Sequence, residues 1–325
     1  MKDPRMTAQH VPVLLTRVVE LIGVGVEAAR EAGITPVVVD GTLGMGGHAE
    51  AVLTAFDDVH LVGIDRDLQA IDIATERLAP FAGRIDIVHA VDDELPDVLA
   101  DLGIDEISAI LLDLGVSSLQ LDEDERGFSY SRPAPLDMRM DRTQELTAAK
   151  VLATYSESEL RRILREYGEE KLAGKIAKII VTDRADTPWE TSDQLAAMLS
   201  RVIPQTKKKS HPAKRTFQAL RIEVNDELGV LRTALPAALE ALHLGGVAVI
   251  ESYQSLEDTI VKKTFRAATT SSAPPDLPVV PEEHQPWLTE IIRGAEMADE
   301  NEAENNPRAA SVRLRAVQKI REARS

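Results

Sequence analysis

Val37-Val38-Val39-Asp40-Gly41-Thr42-Leu43-Gly44-Met45-Gly46-Gly47-His48 is a β-branched run that ends in a carboxylate and passes straight into a turn with four glycines. Three valines after Pro36 suit a buried strand, and Gly41, Gly44, Gly46 and Gly47 let the turn take positive φ and bring bare backbone against a ligand. A helix is predicted to start near His48, its free N–H groups pointing back over the glycines. Gly44-Met45-Gly46-Gly47-His48-Ala49 also meets the loose G-x-G-x-x-G/A pattern of dinucleotide sites, a weak signal by itself. The next apolar run, residues 60–64, reaches Asp65 about 20 residues beyond the glycines, where a carboxylate can accept both hydroxyls of a ribose. An ordinary strand-to-helix turn with a solvated aspartate is the plainer alternative. Spacing alone leaves a nicotinamide site and an S-adenosylmethionine site unseparated.

Outward from this stretch, strand and helix alternate. Residues 10–15 lead into a helical pattern through Val18, Val19 and Ile22 that caps the sheet, after a tail at residues 1–9. Residues 69–78 show one apolar helical face (Ala70, Ile71, Ala74, Leu78), 85–88 read as a strand, 95–102 as a short helix, and 107–114 as a nearly all-apolar strand. Such alternation predicts a parallel sheet covered on both faces. The last of these strands runs into Asp113-Leu114-Gly115-Val116-Ser117-Ser118-Leu119-Gln120, which puts a carboxylate, two hydroxyls and an amide at the carboxyl edge where open sheets bind ligands.

From residue 135 to 212 the period turns helical, with capping boxes at Ser156/Glu159 and Thr191/Gln194, so this segment reads as an insertion at the ligand edge. Basic residues bracket it: Arg126, Arg132, Arg139 and Arg142 before, and Lys207, Lys208, Lys209, His211, Lys214, Arg215 and Arg221 after. A charge run is often only a solvated face, but Arg215 and Arg221 interleaved with Phe217 fit a surface that meets phosphates and a base. Beyond it come a long helix over 216–242, a strand at 247–252, a helix at 256–265, and a Pro- and Ser-rich loop at 269–281. A strand at 288–292, an acidic connection at 296–306 and an alternating run at 311–317 that closes the sheet antiparallel complete the chain. The expected organisation is therefore 1–134 and 213–325 as one α/β domain, with 135–212 inserted as a helical substrate-recognition domain.

With 325 residues the chain has room for that domain and its insertion. It has no cysteine, which excludes disulfides and thiolate metal sites, and no secretory or membrane-length apolar run, so a cytoplasmic protein without membrane contact is expected. The net charge of −17 argues against a general nucleic-acid coat and says little about a local basic patch.

Further motifs carry a resemblance. Asp40-Gly41-Thr42-x-Gly44-x-Gly46-Gly47-His48, Asp65-Arg66-Asp67, residues 111–122, Arg126-Gly127-Phe128-Ser129, Pro135-Leu136-Asp137-Met138-Arg139-Met140, Tyr167-Gly168-Glu169-Glu170, residues 211–222, Ser255-Leu256-Glu257-Asp258 and Asn306-Pro307-Arg308 together resemble the bacterial small-subunit ribosomal RNA cytosine-N4 methyltransferase family (RsmH or MraW) over nearly the whole chain. The resemblance implies a class I, Rossmann-like methyltransferase sheet with an inserted helical domain, S-adenosylmethionine as cofactor, and methylation of the exocyclic N4 amine of a cytidine in 16S ribosomal RNA. It implies that Gly46, Gly47 and His48 line the methionine part of the cofactor, that Asp65 holds the ribose, and that Asp113 and Gln120 complete the pocket. Asp92 stands where the family often has an aromatic residue, and Ser252-Tyr253-Gln254-Ser255 where it commonly shows Ser-Phe-His-Ser. Methyl transfer is an in-line displacement that needs no metal, and Asp113 is the candidate acceptor for the amine N–H or else a cofactor ligand. The implied partner is small-subunit ribosomal RNA, within an assembled or assembling subunit, and a homodimer is a further expectation.

Overall fold

The computed structural model describes residues 12–204, 211–274 and 280–322; the tail expected at 1–9 and the lysines Lys207, Lys208 and Lys209 lie outside them. The chain divides into two compact units, Met1–Gly115 with Gly229–Ser325, and Val116–Leu228. The second unit thus extends beyond the 135–212 segment that periodicity marked, on both sides.

In the first unit, α1 (Leu15–Glu31) precedes β1 (Val37–Asp40), α2 (Gly47–Ala55), β2 (His60–Asp65), α3 (Leu68–Leu78), β3 (Ile85–His89), α4 (Leu95–Asp101) and β4 (Ile107–Asp113). The second unit holds α5 (Ser118–Asp122), α6 (Ala148–Thr154), α7 (Glu157–Glu166), α8 (Ala173–Asp183), α9 (Ser192–Val202) and α10 (Lys214–Asn225). After α11 (Glu227–Ala241) the sheet resumes with β5 (Leu242–Ser252), α12 (Ser255–Thr269), β6 (Leu288–Glu290), α13 (Glu300–Asn305) and β7 (Arg313–Lys319).

The seven strands lie in the order β3-β2-β1-β4-β5-β7-β6, parallel except that β7 runs antiparallel to both β5 and β6. This is the Rossmann-like sheet expected, and the order reverses between β1 and β4, where open sheets bind ligands. Alternation along the strands divides the core in two. Val38, Leu61, Ala109, Leu111, Val247 and Val249 join Val18, Leu21, Ile22, Val52, Leu53 and Leu78 on the face of α1, α2 and α3. Val39, Val62, Ile64, Ile110, Leu112, Ala248 and Ile250 pack on the other face with Leu99, Leu235, Leu239, Val261 and Phe265 of α4, α11 and α12. The second unit has its own core, built from Leu160, Ile163, Leu164, Ile176, Ile180, Leu195, Leu199, Phe217 and Leu220. Both expected capping boxes form, at Ser156 and at Thr191.

Two segments depart from the sequence pattern. The long helix expected over 216–242 is broken at Asp226, whose φ of 47° is left-handed. Asn225 beside it is buried and turns its side chain to the Met140 N–H (2.7 Å) and the Met138 carbonyl (2.8 Å), so α10 is anchored to its own unit and cannot continue straight. The acidic connection at 296–306 contains α13, capped by Asp299, and Glu302 accepts the Leu14 N–H at 2.6 Å. No helix among the described residues is long and apolar enough to cross a membrane.

Candidate active site

The alternation that sorts the core also aims the polar residues that end the strands. Asp40, Asp65, Asp113 and Glu251 each lie two residues past a position buried against the α1–α3 face or in phase with it, so all four carboxyls emerge on that face at the carboxyl ends of β1, β2, β4 and β5. Each carboxylate begins where an apolar run stops.

The glycine turn shapes the hollow between them. Gly44 and Gly46 adopt φ of 52° and 77°, and a Cβ on Gly46 would stand 2.9 Å from Leu78. Gly44 then donates its N–H to Asp65 Oδ2 at 2.7 Å, while the Asp67 N–H reaches Asp65 Oδ1 at 2.8 Å. Asp65 is thereby held with lone pairs left on both oxygens, as a ribose acceptor requires. α2 starts at Gly47, and its first N–H groups have no partner inside the helix.

Carboxyl groups are concentrated here. Burial pushes the Asp40 carboxyl up to about 8, against the Thr42 N–H bond that opposes the rise and with Asp113, Asp65 and Asp92 adding to it. Burial together with Asp65 pushes Asp92 up to about 7, and burial raises Asp65 as well. Asp113 donates its N–H to Thr42 Oγ1 (2.6 Å), and its Oδ1 accepts from the Tyr253 hydroxyl (2.7 Å). Burial and the neighbouring carboxyls of Asp113 and Glu251 raise the Tyr253 hydroxyl far above its ordinary value, so it remains a donor. His48 is buried with Nε2 on the Val13 carbonyl at 3.1 Å, and its Nδ1 is 4.0 Å from Asp113 Oδ2.

Of the residues singled out from sequence, Gly46, Gly47, His48, Asp65, Asp92 and Asp113 converge at this edge. Gln120 belongs to the second unit, where its Oε1 accepts the Ser117 N–H at 3.0 Å in a capping box. The expected RNA residues separate into two groups. Arg139 is tied to Asp137 (2.7 and 2.8 Å) and to the carbonyls of Arg142 and Gln144, and Arg221 pairs with Glu227 at 2.7 and 2.8 Å, so both brace their own unit. Lys214 and Arg215 are exposed on the first turn of α10. His211, also exposed, stacks on Tyr130 with centroids 4.5 Å apart, and Tyr130 meets Phe217 edge-on. Sequence reasoning noted Tyr253 only as a departure from the family pattern and passed over Glu251. Glu251 carries the same signal as Asp40, Asp65 and Asp113, a carboxylate that stops an apolar strand.

The chain matches the family model described as MraW methylase family over residues 7–320. It belongs to the MraW methylase family. The "Ribosomal RNA small subunit methyltransferase H" of Pseudarthrobacter chlorophenolicus is 56% identical over 327 residues, covering 100% of this chain and 99% of its own. Proteins of the same name from a Nocardioides species (57% over 312 residues, 95% and 96% covered) and from Thermobifida fusca (55% over 315 residues, 96% and 94% covered) are similarly close. As an MraW-family chain this is a methyltransferase whose cofactor is S-adenosylmethionine, and the nicotinamide alternative that glycine spacing left open falls.

Proposed function

We propose that this methyltransferase modifies the exocyclic N4 amine of a cytidine in 16S ribosomal RNA. The observation that carries the reading is the gathering of Asp40, Asp65, Asp92 and Asp113 at one sheet edge, where burial and neighbouring carboxyls raise Asp40 and Asp92, in a chain whose relatives are named for ribosomal RNA methylation. A hollow lined by carboxyls that a nearby cation would ionise suits a cationic donor. When bound, S-adenosylmethionine supplies an electrophilic methyl group on a sulfonium. Gly46, Gly47 and His48 would hold its methionine part, Asp65 its ribose, and Asp92 the adenine end, with Gln120 as a further ligand.

The protein's own contribution is alignment and proton handling. The N4 lone pair of cytosine is shared with the ring, so an acceptor on the N–H helps localise it. Asp113, fixed by Thr42 and Tyr253, is that acceptor in this reading: it orients the amine and takes the proton that N4 sheds once it carries the methyl. The amine is engaged in any base pair, so the target must be unpaired or flipped out. The exposed Lys214, Arg215 and the Tyr130–His211 stack supply cations and a flat face for RNA on the second unit; Lys207, Lys208 and Lys209 would add cations by their place in the sequence. An assembled or assembling small subunit as substrate, a cytoplasmic location and a homodimer complete the proposal.

The test is transfer of labelled methyl to small-subunit particles and to free RNA, followed by mass mapping of the modified nucleotide. Methyl on cytidine N4 is the expected result, and methyl on another atom or no transfer to either substrate overturns it. In the same assay Asp113→Asn is expected to lose turnover far more than cofactor affinity, because positive charge grows on the amine only in the transition state. Equal losses in both would make Asp113 a cofactor ligand.

A further inference from the structure

Glu251 is the most deeply buried carboxyl at the edge, with no exposed surface, and neither of its oxygens has a hydrogen-bond partner among the described residues. It stands beside Asp113 because β4 and β5 pair in parallel register with Asp113 opposite Glu251, which puts both side chains on one face. One nitrogen of His48 and one oxygen from each of the two carboxyls lie within 4.8 Å of one another. His48 does not complete Glu251: its Nε2 hydrogen is on the Val13 carbonyl, which can only accept, and Glu251 Oε2 is 3.9 Å away. The titratable groups that act on it, Asp113 from β4, Asp40 from β1, Glu302 from α13 and the Tyr253 hydroxyl that follows β5, are all acids, while β7 places Leu314 opposite.

An ionised carboxylate buried without a donor is among the costliest groups a protein can hold, and it neutralises instead. Two facing carboxyls offer only acceptors to each other unless one carries a proton. We infer that Glu251 is a positioning residue for methyl transfer: its carboxyl is protonated and donates to Asp113, holding that carboxylate anionic and aimed at the cytosine amine. Asp113 is then clamped from two sides, by the Tyr253 hydroxyl on Oδ1 and by the Glu251 acid. Burial first, then Asp113, raises the Glu251 carboxyl well above the carboxylate range, in agreement with this geometry.

In the transfer the C–S bond breaks with its electrons going to sulfur, and the C–N bond forms from the N4 lone pair. The N4 proton passes to Asp113 while the Glu251 proton stays on the pair as its second. Release of one proton to water restores the singly protonated pair for the next cycle. At alkaline pH the pair loses its resident proton; two adjacent carboxylates then repel, and Asp113 loses its aim.

This inference rests on the methyl-transfer role of Asp113, and two readouts keep the two apart. The first is direct: infrared difference spectra of the full-length protein between neutral and alkaline pH are expected to show, beside the carboxylic-acid C=O bands of Asp40 and Asp92 that titrate in the same range, a further such band that vanishes in Glu251→Gln while theirs remain. The same set of bands in Glu251→Gln as in the parent overturns the inference whether or not the enzyme methylates RNA. The second is single-turnover methyl transfer against pH for the parent, Glu251→Gln and Glu251→Leu. Gln keeps a donor for Asp113 and is expected within a few-fold of the parent rate, with the alkaline fall removed, whereas Leu is expected about tenfold or more slower with unchanged cofactor affinity. Equal rates for Gln and Leu, or an alkaline fall that persists in Gln, would falsify the positioning role. Thermal melts of both variants identify a folding defect, and Gln, which keeps volume and a donor, decides the outcome if Leu fails to fold.

Discussion

At the scale of single residues, Asp40 and Asp92 are carboxyls whose ionisation is opposed first by burial and then by neighbouring carboxyls. Asp40 is raised to about 8 and Asp92 to about 7, so at neutral pH part of each population is protonated. A bound sulfonium favours the ionised forms, so S-adenosylmethionine is expected to release protons on binding and to bind more tightly as pH rises through 7 to 8. Calorimetry in two buffers of different ionisation enthalpy measures the release directly; an enthalpy that ignores the buffer would show that these carboxyls do not sense the cofactor. Asp65→Ala is expected to weaken the cofactor by about 1 to 3 kcal/mol, the cost of leaving ribose hydroxyls without a charged partner. Unchanged affinity would move the ribose elsewhere.

At the scale of elements, the sheet edge is only as well placed as the helices that cover it. α1 crosses β4 and β5 with Gly25 against the backbone: a Cβ there would stand 2.1 Å from the Ser108 carbonyl oxygen. Gly25→Ala is therefore expected to lower stability by about 1 to 3 kcal/mol, the usual cost of overpacking, although alanine is the better helix former. Denaturant unfolding at neutral pH checks this, and a stabilised variant would mean that α1 can lift from the sheet without loss. Gly23, on the same helix, meets only the tip of the Phe56 ring at 3.1 Å, which can move, so its alanine variant serves as the tolerant comparison.

For the whole molecule, the acidic balance and the basic segment are reconciled by separation. The net charge is −17, yet Lys214 and Arg215 are exposed together on α10 of the second unit. Replacing both by alanine is expected to weaken RNA binding and to flatten its log–log salt dependence by about 1.4 to 1.8, roughly 0.7 to 0.9 for each phosphate that is no longer neutralised, with cofactor affinity unchanged. An unaltered slope would make them a solvated face. Arg139→Ala should behave differently: it breaks the ties to Asp137, Arg142 and Gln144, so its expected effect is on the stability of the unit rather than on the slope.

The order of strands and helices, the glycine turn, the carboxylates that stop each strand and the family were legible in the chain alone, because hydrophobic period and turn chemistry are local and Asp40, Asp65 and Asp113 announce themselves by ending apolar runs. Boundaries that depend on distant partners were not. The second unit runs from Val116 to Leu228 because residues on either side of 135–212, such as Phe128 and Phe217, join its core, and the break at Asp226 follows from Asn225 reaching back to Met138 and Met140. The roles of arginines were hidden for the same reason. A basic residue in a motif has the same letter whether it is exposed, as Arg215 is, or pinned to a carboxylate, as Arg139 and Arg221 are. Glu251 shows the difference most sharply: the sequence contains a glutamate at the end of a strand, and only the register that sets it beside Asp113, without a donor, turns it into an acid.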